Sequence, residues 1–170
     1  MSIRKTLAST LLLSVALSVS AADLLDTVKQ RGTLKVALEG TYPPFNYKEN
    51  GELAGFEVEL ANALAQKMGV KAEFSTNEWS AMLAGLQAGK YDVVMNQVGI
   101  TDKRKETFDF STAYTISSPQ LIVRKDEKRD FKTLADLKGK KLGLGQGTNF
   151  SDVAKAVGGI EIKIYPGSPE

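Results

Sequence analysis

The sequence predicts an α/β protein built on mostly parallel sheet with helices on both faces, and three observations carry that expectation. Strand-like and helix-like segments alternate from Thr33 to Met95, each helical stripe there ends at a glycine, and Tyr91-Asp-Val-Val-Met95 is a short apolar run typical of a buried strand. In such sheets ligands lie beyond the carboxyl ends of the strands.

The elements follow in chain order. Leu24, Leu25 and Val28 stand at helical spacing, and Arg31-Gly32 supplies the cation and the glycine that close a helix. Thr33 to Leu38 alternates as a strand and breaks at Gly40, before a loop, Tyr42-Pro43-Pro44-Phe45, in which two prolines forbid both helix and ladder. Asn50-Gly51 marks a turn. Phe56 to Met68 carries a helical stripe at 56, 60, 61, 64, 65 and 68, closed by Gly69, and Val70 to Ser75 resumes as strand. Trp79 to Ala88 gives a further helix with Met82, Leu83 and Leu86 inward, ended by Gly89. Three segments therefore occupy strand ends: Glu39 to Phe45, Thr76 to Trp79, and Asn96 to Arg104.

After Phe108-Asp-Phe-Ser111 the pattern changes. Ser117 to Arg124 reads as an extended crossing, a charged segment runs to Lys132, and a second unit starts near Thr133-Leu-Ala-Asp136. It comprises a short helix to Leu137, a strand Lys140 to Leu144, a loop Gly145 to Thr148, a helix Phe150 to Val157 and a strand Ile160 to Tyr165. The expected division is residues 23–116, a crossing strand at 117–124, and 125–170. The last part is short of the roughly 100 to 150 residues usual for a domain, so the second unit is expected to be truncated.

Residues 1–22 are expected to stand apart as a cleavable secretory signal peptide. Arg4 and Lys5 precede an apolar run from Leu7 to Val19, and the small residues Ser20-Ala21-Ala22 follow, so cleavage is expected after Ala21 or Ala22. As a membrane anchor the run falls short of roughly 20 residues and is broken by Ser14 and Ser18. No Cys follows for lipid attachment, and the mature product is expected to be extracytoplasmic and soluble.

The chain has 22 Lys and Arg against 20 Asp and Glu; the two excess cations are Arg4 and Lys5, so the mature part is neutral. Without a basic run in an aromatic context there is no electrostatic footprint for nucleic acid. The sequence contains neither Cys nor His, which excludes disulfides, thiolate zinc, a Ser-His-Asp triad and imidazole metal ligands. No cofactor or metal site is expected, and no nucleophile with an adjacent base is evident.

Three groups remain as candidates. Gly143-Leu-Gly-Gln-Gly147-Thr148-Asn149 is a glycine-rich turn between strand and helix, able to offer backbone N–H groups to an anion. Thr148 stands where a dinucleotide fingerprint requires glycine, and on the turn alone a simple N-cap and a carboxylate site are equal readings. Asn96-Gln97-Val-Gly99-Ile-Thr-Asp-Lys-Arg104 leaves a buried strand with two amides, a hydroxyl and a guanidinium. The planar fork of Arg104 matches a carboxylate, although a surface role or pairing with Asp102 is the commoner fate of such a residue. Tyr42 and Trp79, beyond strand ends, present rings that can clamp the apolar part of a small ligand. Glu39, at the end of the first strand, is placed to meet an ammonium.

At these residues the chain resembles the periplasmic amino-acid-binding proteins that feed ABC importers. The stretches that carry the resemblance are Leu38-Glu-Gly-Thr-Tyr-Pro-Pro-Phe45, Gly55-Phe-Glu-Val-Glu59, Trp79 with Met82-Leu83, Asp92-Val-Val-Met-Asn-Gln-Val98, Ile100-Thr-Asp-Lys-Arg104, Asp109-Phe-Ser-Thr112 with Tyr114-Thr-Ile-Ser117, and Asp136-Leu-Lys-Gly-Lys-Lys141 through Gly147-Thr-Asn149. Glu-Gly-Thr-Tyr-Pro-Pro-Phe, Asn-Gln-Val and Gly-Thr-Asn look most like the cystine-binding branch. The resemblance implies a two-lobed fold with a hinge, in which residues 23–116 and 125–170 belong to separate lobes. It implies that Arg104 clamps an α-carboxylate with backbone N–H groups of Gly99 and of the Thr148 to Asn149 turn. It implies further that Tyr42 and Trp79 stack on the ligand while Glu39, Asn96 and Gln97 reach its ammonium or side chain. The expected activity is capture of a polar amino acid, in particular cystine, by a monomer that closes its hinge and is recognised by a membrane permease. An alternative within the same fold is a periplasmic dehydratase acting on a prephenate-like acid, with Glu39 or Asp102 as the acid.

Overall fold

A computed structural model describes residues 23–166. The expected signal peptide lies outside the described residues. The chain forms a three-stranded parallel sheet covered by helices on both faces, a two-stranded antiparallel hairpin, and a two-stranded parallel pair connected by one helix, in the α/β order the sequence predicts.

Helix α1, Leu24–Arg31, starts at Asp23, whose side chain accepts from the Leu25 N–H, and stops at Gly32 with φ 74°. It feeds β1, Thr33–Leu38, the central strand of a three-stranded sheet. A hairpin, β2 Tyr47–Glu49 and β3 Glu52–Ala54, comes next, then α2, Phe56–Met68. Strand β4, Lys71–Thr76, runs parallel to β1 over six residues, from Thr33 opposite Lys71 to Leu38 opposite Thr76. Helix α3, Trp79–Gln87, leads to β5, Val93–Val94, on the other side of β1. Leu34 and Val36 point to one face, where they pack with Val28, Ala61 and Ala65 of α1 and α2. Ala37 points to the opposite face, against Met82 of α3 and Tyr91. This alternation on one strand is what covers the sheet on both sides.

Three local differences have physical reasons. The Asn50-Gly51 turn, with φ of 52° and 90°, closes an antiparallel hairpin of two three-residue strands, too short for a period-two pattern to register. Tyr91 and Met95 are buried as expected, yet the regular ladder covers only Val93–Val94. The Lys35 N–H on that side is taken by the Asp92 carboxylate at 2.7 Å instead of a backbone carbonyl, and Asp92 also pairs with Arg31. The predicted stripe on α2 holds in part: Leu60, Ala61, Ala65 and Met68 pack on the core, but Leu64 is exposed and Phe56, which the sequence assigns to the core, is 43% exposed, while Glu57 and Val58 are buried in addition.

Beyond β5, one helical turn, α4, Asp102–Lys105, is capped by the Thr101 hydroxyl, which accepts from the Arg104 N–H. The stretch 106–133 has no strand, so Ser117 to Arg124 runs without a ladder partner among the described residues, and Ile116 is 98% exposed. A 3-10 turn at Leu134–Leu137 precedes β6, Lys141–Gly145, then α5, Asn149–Val157, and β7, Glu161–Tyr165. Strands β6 and β7 pair in parallel from Lys141 opposite Glu161 to Gly145 opposite Tyr165, a single β-α-β unit. Among the described residues, no helix is long and apolar enough to cross a membrane, and no group of three or more acidic side chains is placed to hold a metal.

Candidate binding site

The carboxyl ends of β1, β5 and β6 and the start of α3 deliver the candidate residues, which fall into two clusters. In the first, the guanidinium of Arg104 lies over the Trp79 ring, 5.4 Å from its centroid. Its Nη1 donates to the Gly99 carbonyl at 2.8 Å and its Nη2 to the Gly147 carbonyl at 3.2 Å. Gly99 lies against both groups: a Cβ there would come within ordinary contact, 3.6 Å from Arg104 Nη1 and 3.7 Å from Asn149 Oδ1. Trp79, Gly99, Arg104, Gly147 and Asn149 thus meet, with α4 on one side and the start of α5 on the other. Burial holds the Arg104 guanidinium below its ordinary pKa, opposed by the Asp152 carboxylate, and a guanidinium stays charged regardless.

The neighbouring groups suit an anion. Thr148 occupies the N-cap position of α5 but makes no side-chain cap; its hydroxyl donates to the Gly145 carbonyl at 3.0 Å and its N–H is directed at that carbonyl at 3.4 Å. The capping reading of Thr148 therefore fails, and the helix start keeps its positive dipole end without a side-chain oxygen on it. The Trp79 side chain is 8% exposed, and its Nε1 is the only buried side-chain polar atom without a partner among the described residues. Lys103 of α4 and Asp152 of α5 also form an exposed pair at 3.1 Å, a contact of small energy.

The second cluster joins Glu39, Asn96 and Gln97. Asn96 accepts from the Glu39 N–H at 2.8 Å and donates to the Glu39 carboxylate at 2.7 Å. Gln97, with φ 50°, is the neighbour of Asn96 and is held by Glu57. Two residues that sequence reasoning missed complete this cluster. Asn46, wholly buried, accepts from the Gly40 N–H and donates to Glu57 and Asn96. Glu57 gathers further donors from Gln97 and Tyr114, whose hydroxyl pKa is pushed up by burial and by the Glu57 bond and charge. Tyr42 makes its contacts within its own loop, with its ring 5.3 Å from that of Phe45 and its backbone paired to Asn46.

Comparison with known proteins identifies the family and the fold. Residues 34–163 match the family described as bacterial extracellular solute-binding proteins, family 3. The L-cystine-binding protein TcyJ of Escherichia coli K12 is 49% identical over 148 residues, covering 86% of this chain and 56% of that protein. Among solved structures, an ancestral arginine-binding protein bound to arginine superposes with a TM-score of 0.73 at 41% identity, over 79% of this chain and 61% of the other. The ancestral amino acid-binding protein AncCDT-1, a precursor of cyclohexadienyl dehydratase, gives 0.75 at 38% identity, over 84% and 64%. The chain thus spans about half the length of the curated relatives it matches. On the match over 130 consecutive positions and on its parallel two-sheet architecture, this chain belongs to the bacterial extracellular solute-binding proteins, family 3.

Proposed function

We propose that the protein captures a polar amino acid, cystine in the first instance, outside the cytoplasm and hands it to an ABC permease. The observation that carries this reading is the Arg104 guanidinium against Trp79, next to the start of α5 that no side chain caps. A fork of N–H donors beside a helix N-terminus is the surrounding a carboxylate prefers. Gly99 and the Thr148 to Asn149 turn would add backbone N–H groups as the ligand arrives. Glu39, oriented by Asn96, supplies the anionic partner for an ammonium, and Gln97 a neutral one for the side chain. Tyr42 and Trp79 would enclose the apolar part.

In this reading residues 1–22 are a signal peptide, 23–116 and 125–170 belong to two lobes, and 117–124 is the crossing about which they close. The protein acts as a monomer. The absence of Cys gives a cystine ligand no protein thiol with which to exchange its disulfide. The name of TcyJ supports cystine; the ancestral relative bound to arginine supports the broader class.

Isothermal calorimetry with L-cystine, L-arginine and L-glutamine tests the reading. Arg104→Ala is expected to weaken the best ligand by about tenfold or more, since a hydrogen bond to a charged group contributes roughly 1.5 to 3 kcal/mol. Unchanged affinity would remove the carboxylate role. The dehydratase alternative draws on AncCDT-1 alone, itself named an amino acid-binding protein. It gains nothing from Asp102, a fully exposed side chain paired with Lys105.

A further inference from the structure

Glu57 sits in the first turn of α2 and is 0% exposed. Its carboxylate accepts four hydrogen bonds, from Asn46 Nδ2 at 2.6 Å, the Gln97 backbone N–H at 2.7 Å, Gln97 Nε2 at 3.0 Å and the Tyr114 hydroxyl at 2.5 Å. A carboxylate only accepts, so four donors converging on it are matched to its charge, and an amide in its place would turn hydrogens toward donors. Among the described residues no Lys or Arg pairs with it, so its buried charge is balanced by dipoles and by the α2 N-terminus.

The donors are not a random set. Gln97 is bound twice and has a left-handed backbone, φ 50°, a conformation that costs an L side chain free energy. Asn46 divides its amide between Glu57 and Asn96, and Asn96 in turn donates to Glu39. On the other side, Tyr114 bonds Glu57 while the Thr115 hydroxyl donates to Gln97 Oε1 at 2.8 Å, both just before the crossing stretch.

We infer that Glu57 is a positioning residue: it fixes Gln97 directly, and Asn96 and Glu39 through Asn46, and it ties that arrangement to the chain entering the crossing stretch. The inference rests on the amino-acid-binding reading above for its consequence, though not for its geometry. Ligand affinity then depends on Tyr114 and Thr115, which make no direct claim on the ligand.

Two measurements on the full chain test this. In ligand-free protein, hydrogen exchange at the Gln97 amide is expected to quicken by about tenfold or more in Glu57→Gln while the Val36 amide keeps its rate, the scale expected for one lost bond to a charged acceptor. Acceleration of both amides alike would mean a general structural role and overturn the inference, as would an unchanged Gln97 rate. In calorimetry with L-cystine and L-arginine, Tyr114→Phe and Thr115→Val, which preserve shape and serve if Glu57→Gln does not fold, are expected to lower affinity severalfold. The Thr115→Val loss should vanish in a Gln97→Ala background; wild-type affinity in both variants would overturn the inference. A protein that binds none of these amino acids defeats the functional reading alone, and Gln97 exchange still decides the positioning.

Discussion

Arg104 brings a cation into a half-buried place whose immediate partners are two carbonyl dipoles and an indole face, not a carboxylate. Asp102, two residues away and able on sequence grounds to neutralise it, faces solvent beside Lys105. Arg104 and Trp79 were legible because each residue type carries its chemistry wherever the fold sets it. Glu57 and Asn46 were not, because their role lies in a hydrogen-bond set drawn from residues 40 to 114, which no local pattern encodes. One glycine connects the clusters to the backbone. Gly55 has φ 112°, and a Cβ on it would lie 2.6 Å from the Phe45 carbonyl oxygen, the acceptor of the Glu57 N–H. Gly55→Ala is therefore expected to destabilise the protein by about 1 to 3 kcal/mol, from the forbidden backbone region and the overlap together, measurable by urea unfolding. A change below a few tenths would show that the loop yields.

Among the elements, strands and helices that end at a glycine or alternate cleanly appear within a residue or two of their predicted bounds, as with β1, α2 and α5. The face of α2 was misjudged at its edges only. Leu60, Ala61, Ala65 and Met68 of the predicted stripe pack on the core, whereas Phe56 and Leu64 stay exposed and Glu57, among its four donors, is buried with Val58. The 3-10 turn at Leu134–Leu137 depends on a reciprocal cap: Thr133 and Lys132 donate to the Asp136 carboxylate. Bonds from the Thr133 N–H and hydroxyl hold the Asp136 pKa below its ordinary value. Because the folded pKa is the depressed one, the stabilisation is complete above the unfolded value of about 3.9 and is lost as pH falls through the folded value. The Thr133 amide resonance is expected to titrate with a midpoint below that value, and a midpoint at or above it would refute the cap.

At the scale of the whole molecule, the described parts meet at a few contacts: Arg104 with Gly147, Lys103 with Asp152, and Trp79 beside Gly147. A ligand seated there would bind the folded state alone. At 100 times its Kd it should add about 2.7 kcal/mol, so a thermal-shift panel of amino acids is expected to raise the unfolding temperature for one polar class and leave the others unchanged. No rise with any amino acid would contradict the binding reading. The sequence by itself determined the α/β order, the parallel sheets, the glycine stops and the residue types suited to a carboxylate, because these follow from periodicity, backbone conformation and side-chain chemistry within short windows. Only the tertiary structure decided that Trp79, Arg104 and the start of α5 converge, that Tyr42 packs within its own loop, and that a buried Glu57 organises Asn46, Asn96 and Gln97. The last of these depends on which distant donors reach one buried acceptor, a match that burial makes obligatory, and the first on segments far apart in the chain being brought together.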